Sequence, residues 1–322
     1  MRRVLLGIGA LVGLAVLALA VVLGLAHRGV RAVRPALPDV AALRAPNPHA
    51  DLPTGLFRID TARQPTPRSG VLDPERDPRP SAAYVMTHTA FVLAWPDGRL
   101  FLFDAGMDRA SAADFGATLE TFSGAEPIEV RSPVAERLGP ALERVRGAAF
   151  SHLHTDHTAG IVAVCQALGR PLPVFQTPSQ HAGGNYTTRP GRAQLADAGC
   201  VEPVRVDDAP LAEVPGFPGL SLVAASGHTP GSQMLVAHVR TPLGIDTWVF
   251  TGDVVNHRDG IRHDVPKPRL YSLLVVPEDT ERLSALRALL ADAAKRGARL
   301  AVSHDAAALD IPLWPPTLPE EG

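Results

Sequence analysis

Between His152 and His157 the run Ser151-His152-Leu153-His154-Thr155-Asp156-His157 packs three imidazoles and one carboxylate into six residues. In an extended or looping backbone, alternate side chains point the same way. His152 and His154 can therefore reach one metal ion together. Asp156 and His157, just past the bend, can reach a second. Imidazole and carboxylate are the usual ligands of catalytic zinc and of related borderline metals. The alternative is a polar, His-rich loop with no ion, but four ligand-type side chains rarely coincide at this spacing.

Three other segments share one design, an apolar strand-like run that ends in a ligand-type residue. Leu220 to Ala225 leads into Gly227-His228-Thr229-Pro230-Gly231. Thr247 to Phe250 leads into Thr251-Gly252-Asp253. Arg299 to Val302 leads into Ser303-His304-Asp305. Side chains at strand ends project from a rigid scaffold, and sites are usually built there.

The elements that must position these residues are partly readable. Val85–Ala94 and Leu100–Phe103 read as strands joined at the turn signal Pro96-Asp97-Gly98. Thr158–Leu168 reads as a helix ended by Gly169, with Asp156 and His157 at its start. Pro173-Val174-Phe175 reads as a short strand, and the glycine-punctuated stretch Ser179–Gly199 as a candidate flap. Glu278–Arg296 has an apolar face of Leu283, Leu286, Leu289, Leu290 and Ala293 at helical spacing, a cap at Asp279 or Thr280, and an end at Gly297. That stripe is core packing. Together these runs predict a mixed α/β domain.

The chain of 322 residues divides on this reading into four parts. Residues 1–27 form a membrane anchor or signal segment, 28–80 a Pro/Arg-rich tether with one short strand at Gly55–Ile59, 81–310 the catalytic domain, and 311–322 a Pro-rich tail. The alternative for the tether is an irregular wrap over the domain. Val4 to Ala26 is apolar or small throughout, long enough to cross the roughly 30 Å hydrocarbon core, and longer than the usual signal core of about 7–15 residues. It has no polar face, unlike a core helix. We read residues 4–26 as an anchor, with secretion after signal cleavage as the alternative. Arginines flank the span on both sides, so the positive-inside rule does not decide orientation. The short basic N-terminus favours export. The net charge is -2 without a basic cluster, which argues against a nucleic-acid partner. Cys165 and Cys200 form no C-x-x-C pair; Cys165 reads as a small buried apolar residue, and a disulfide between the two stays open. Seven histidines (His27, His49, His88, His181, His238, His257 and His263) fit no ligand pattern and read as surface or structural residues.

In order, His152-Leu153-His154-Thr155-Asp156-His157, His228, Asp253 and His304 resemble the metallo-β-lactamase superfamily, and Phe101-Leu102-Phe103-Asp104-Ala105-Gly106 looks like its early strand-Asp-Gly element. The resemblance runs from about Tyr84 to Leu309. It implies an αββα sandwich, here preceded by one hydrophobic helix, with the metal site at one edge. It also implies that His152, His154 and His228 hold one ion and Asp156, His157 and His304 a second, with Asp253 bridging both. Two divalent ions, zinc by default, would share a bridging hydroxide as the nucleophile against an ester-type carbonyl. Asp253 and Asp156 are then the catalytic carboxylates, Asp156 as a proton shuttle, and Asp104 orients a ligand imidazole from behind. Within the superfamily the motifs look like N-acyl homoserine lactonases, which implies a small lactone substrate. Those lactonases carry a tyrosine three residues after the bridging aspartate, where this chain has Asn256; Tyr186 or Tyr271 could stand in. A glyoxalase-II-like thioesterase, a phosphodiesterase and a non-catalytic, membrane-tethered metal-binding domain are the alternatives. Oligomeric state is not readable.

Overall fold

The computed structural model describes residues 2–45 and 51–314. Seven strands form one sheet in the order β4-β1-β2-β3-β5-β6-β7: β1 (Gly55–Pro65), β2 (Val85–Ala94), β3 (Leu100–Phe103), β4 (Glu129–Val130), β5 (Val145–Ala149), β6 (Leu172–Gln176) and β7 (Val201–Arg205). A second sheet runs β12-β11-β10-β9-β8, from β8 (Ala212–Glu213), β9 (Leu220–Ala224), β10 (Gln233–Thr241), β11 (Gly244–Phe250) and β12 (Arg299–Ala301).

Strand periodicity explains the layers. Along β2 and β3, Phe91, Leu93, Phe101 and Phe103 face the second sheet and meet Leu222, Leu235 and Phe250 in the central core. The alternate residues Ala90, Val92, Leu100 and Leu102 face outward, against Ile161, Val164 and Leu168 of helix Ile161–Leu168. Both faces are covered, so β3 and the Ala90–Ala94 half of β2 read as unbroken apolar runs. On the far side Leu283, Leu286 and Leu290 of helix Thr280–Lys295 pack on Val223, Val236 and Val249. Asp279 caps that helix by accepting from Arg282 N at 3.2 Å. The result is the expected αββα sandwich.

The tether expected over 28–80 is instead packed against the domain, and the fold begins well before residue 81. β1 runs eleven residues, to Pro65 and not Ile59, and pairs along the whole of β2. Its buried Arg58 and Asp60 and half-buried Arg63 break the apolar alternation, which hides the strand in the sequence; the two guanidinium groups close on the Asp60 carboxylate. Upstream, Leu43 is buried beneath helix Thr280–Lys295, and Arg34 pairs with Asp279 and Glu281. The tail expected from 311 is also tied down at first: Arg58 N donates to Pro312 O and Trp314 N to Arg58 O, each at 2.9 Å. Residues 315–322 and His49 lie outside the described residues.

Helix Arg2–Arg31 extends past Ala26, and its Leu11–Arg31 portion is long and apolar enough to cross a membrane. Ser179–Gly199 is not an irregular flap, since it holds most of helix Pro178–Ala182 and all of helix Arg189–Asp197. Cys165 and Cys200 are disulfide-bonded, which ties helix Ile161–Leu168 to the start of β7. The bridge spans 35 residues, so its removal is expected to cost about 4 kcal/mol, mainly through the unfolded chain. Thermal unfolding with and without reductant checks this, and an unchanged midpoint would remove the bond from the list of stabilising features.

Candidate metal centre

Each candidate ligand sits just past the end of a strand. β5 stops at Ala149 and delivers His152 and His154 on extended chain, followed by the turn Thr155–Thr158 that carries Asp156 and His157. β9 delivers His228, β11 Asp253 and β12 His304. The expected helix from Thr158 is split at Ala159-Gly160. A Cβ at Gly160 would come within 2.2 Å of Ala105 O, so only glycine lets the ligand turn lie against the Asp104-Ala105-Gly106 element. That element then grips the turn: Ala105 N donates to His157 O at 2.8 Å and Gly160 N to Gly106 O at 3.1 Å.

The seven residues converge, and all but half-buried His154 are buried. The donor atoms of His152, His154 and His228 lie within 4.8 Å of one another, with His154 Nδ1 and His228 Nε2 at 3.2 Å. On the other side, His157 Nε2 lies 3.6 Å from Asp156 Oδ2 and 3.4 Å from Asp253 Oδ1. His304 Nε2 lies 3.5 Å and 3.2 Å from the same two oxygens. A tetrahedral divalent ion with bonds of 2.0–2.2 Å sets its donors about 3.3–3.6 Å apart. The buried atoms His152 Nε2, His157 Nε2 and Asp253 Oδ1 have no hydrogen-bond partner. Buried polar atoms are normally paired, so this donor set fits a divalent metal.

Outer contacts fix the rings. Asp104 is fully buried, and at φ 59° it holds a left-handed backbone that costs a non-glycine residue about 1–3 kcal/mol. In that pose its Oδ2 accepts from His157 Nδ1 at 2.9 Å and from Ser151 Oγ at 2.9 Å, while Oδ1 accepts from Ser151 N at 2.6 Å. His157 is thereby turned to present Nε2 to the centre. Glu278 does the same for His228, whose Nδ1 lies 2.6 Å from Glu278 Oε1. Lys267 Nζ meets that oxygen at 2.9 Å, and Ser272 Oγ donates to the other at 2.5 Å.

Burial and the surrounding imidazoles hold His152 well below its ordinary 6.5 and His154 at about 3, so both are neutral donors. Burial would raise Asp156 and Asp253, but the neighbouring imidazoles outweigh it and keep both ionised. His157 and His304 go the other way: burial opposes their charge, and the carboxylates of Asp156, Asp104 and Asp253 restore it. Metal binding on that side therefore releases protons.

The sequence reading gives Glu278, Lys267 and His88 no part in the site. Glu278 and Lys267 meet His228 across 50 and 39 residues of chain, and no local motif marks such contacts. The one available signal was Lys267 itself, one of two lysines in a chain whose other basic residues are arginine. His88, read as structural, lies against Asp156 with Nδ1 3.4 Å from Oδ2. Of the two candidate tyrosines, Tyr271 lies on the His228 side, its ring centroid 5.6 Å from Lys267 Nζ; burial raises its phenol well above 10, and the charges of Glu278, Asp253 and Asp156 add to that. Tyr186 is 42% exposed, on a surface cavity with Asn185, Arg189 and Arg192. His257 belongs to a buried charge network with Arg68, Asp259 and Asp305.

The chain belongs to the metallo-beta-lactamase superfamily, whose family model matches residues 83–304. Solved structures with this fold include a quorum-quenching N-acyl homoserine lactone lactonase, 16% identical with a TM-score of 0.59, covering 82% of this chain and 98% of that one. An N-acyl homoserine lactone hydrolase, solved with N-hexanoyl-L-homoserine at its catalytic metal centre, is 18% identical with a TM-score of 0.57, covering 80% and 95%. The dizinc quorum-quenching lactonase AidC is 15% identical with a TM-score of 0.52, covering 79% and 89%. At such identities the likeness shows the fold. No curated protein matches the sequence.

Proposed function

We propose that the protein is a dinuclear metal-dependent hydrolase that opens an ester-type carbonyl, specifically a lactone. The observation that carries this reading is the placement of Asp253. Its Oδ1 faces His157 and His304 at 3.4 and 3.2 Å, and its Oδ2 faces His228 at 3.6 Å. One carboxylate thus addresses both donor groups. His152, His154 and His228 would hold one ion and Asp156, His157 and His304 the other, with Asp253 able to reach both. Divalent cations held there, zinc by donor type, would supply a hydroxide nucleophile at neutral pH and Lewis-acid polarisation of a carbonyl.

The protein's own groups do the rest. Asp104 and Glu278 keep His157 and His228 in the required tautomer and orientation. Asp156, ionised in the resting protein, takes up a proton and delivers it to the leaving oxygen. Tyr271, standing in for the tyrosine replaced by Asn256, contacts the carbonyl oxygen. The lactone assignment is supported by the motifs and by the shared fold of the lactonases.

The same reading anchors the chain through residues 4–26 with the catalytic domain outside the cytoplasm. The apolar helix supports it, as does the disulfide, which persists in oxidising compartments. Leu270, Leu273, Leu274 and Val275 are exposed beside the end of that helix, where His27 Nε2 lies 3.1 Å from Leu273 O. An apolar rim there suits a bilayer surface and an acyl substrate.

The test uses the full chain in detergent, metal-loaded and then chelated, against acyl homoserine lactones in a pH-indicator assay. Ring opening that stops on chelation and returns with metal is expected. No opening by protein that holds two ions would overturn the lactone assignment and turn the search to thioesters and phosphodiesters.

A further inference from the structure

His88 lies in the middle of β2, with Met86 and Ala90 of the apolar clusters as its neighbours on the same face. A β-bulge in β1 lies opposite it. Asp60 pairs with Thr89 and Ala62 with His88, so Thr61 is the extra residue in β1. Such bulges re-aim a side chain beside a site. Here Thr61 Oγ1 donates to His88 O at 2.9 Å and accepts from Met107 N at 3.0 Å, which fastens the bulge to the loop after Asp104.

The His88 ring is fully buried, and neither nitrogen has a hydrogen-bond partner. An unsatisfied buried polar group is destabilising, and nothing on the apolar face of β2 offsets that. The ring instead turns toward the metal centre. Nδ1 lies 3.4 Å from Asp156 Oδ2, an edge as short as those among the four donors already described. The ring centroid is 5.0 Å from that of His304, and one donor atom each from His88, Asp156 and His304 lies within 4.8 Å of the others.

We propose that His88 is an additional ligand of the centre, donating Nδ1 to the ion held by Asp156, His157 and His304. The inference rests on the dinuclear reading and goes beyond its seven ligands. The second ion then has five protein donors, three imidazoles and two carboxylates, against three imidazoles and one carboxylate at the first. The more crowded ion has less room for substrate, so the substrate carbonyl goes to the ion of His152, His154 and His228.

The experiment uses the full chain in detergent, titrated with Co²⁺ and observed by NMR, where each ligand imidazole shows one strongly shifted, exchangeable N–H resonance. Wild type is expected to bind two Co²⁺ and to show six such resonances after ¹⁵N-histidine labelling, from His88, His152, His154, His157, His228 and His304. His88→Phe keeps an aromatic ring and His88→Gln keeps a polar group. In either folded variant one resonance is expected to vanish and the weaker Co²⁺ site to lose at least the about 10–100-fold that removal of an outer partner costs. A packing role alone would give the same count in wild type and in both variants. Two bound ions with only five shifted resonances in wild type would overturn the ligand assignment while leaving the dinuclear reading intact. Fewer than two ions in wild type would overturn both.

Discussion

Replacing Asp253 with alanine is expected to strip the centre of metal and to abolish turnover in one step. No other side chain among the described residues offers one oxygen to each donor group. Without it, the three imidazoles on one side and the Asp156, His157 and His304 set on the other lose their shared anion. Loss of an outer-shell partner already costs about 10–100-fold in metal affinity or activity, and a bridging ligand lost from both ions should exceed that, leaving below about 1% of wild-type turnover. Metal content after dialysis, read beside hydrolysis, checks the prediction. An alanine variant that keeps two ions and ordinary turnover would end the bridged reading.

Glu278→Ala is expected to damage stability and metal binding together, for different reasons. Glu278 is fully enclosed with Lys267, whose side chain is 3% exposed. Burial pushes the Glu278 carboxyl up, but Lys267 and His228 outweigh this and hold it at about 2, so the carboxylate is ionised. Removing one member of a buried pair leaves an uncompensated charge and costs about 3–5 kcal/mol. His228 also loses the acceptor that orients its ring. The two effects separate in the double variant Lys267→Met with Glu278→Leu. Apolar replacement of both members is often neutral for stability, so folding should largely return while metal affinity at His152, His154 and His228 stays low. Chemical denaturation and metal competition measure the two quantities. Full recovery of both in the double variant would show that Glu278 has no part in holding His228.

The candidate metal centre was legible because each candidate ligand follows an apolar run or lies in one dense motif. Strand ends carry sites, and a histidine or aspartate after four or five apolar residues is visible without any partner. β2 and β3 were read to the residue, since Ala90–Ala94 and Leu100–Phe103, buried on both faces, are continuous apolar runs on either side of a turn signal. β1 was cut short because Asp60 and Arg58 are buried by pairing, with half-buried Arg63 closing on the same carboxylate, and burial of that kind leaves no apolar pattern. The roles of Glu278 and Lys267 depend on contacts to His228 across tens of residues, which only the packed sheets create. The cysteines, 35 residues apart, are joined by the packing of helix Ile161–Leu168 beside β7. His88 was passed over because one histidine inside an apolar strand has the look of a core residue.

The match to the family covers residues 83–304, but the unit that must be kept whole for handling the protein is longer. β1 supplies the hydrogen-bonding partner along the whole length of β2, and residues 51–54 and 311–314 close over its ends. A truncate begun at the family boundary would expose a ten-residue strand edge with apolar side chains on both faces. Bare edges of that kind pair with other chains, so such a piece should precipitate by strand-to-strand association even with every candidate ligand intact. Cuts for expression or crystallisation belong ahead of Asp51 and beyond Trp314.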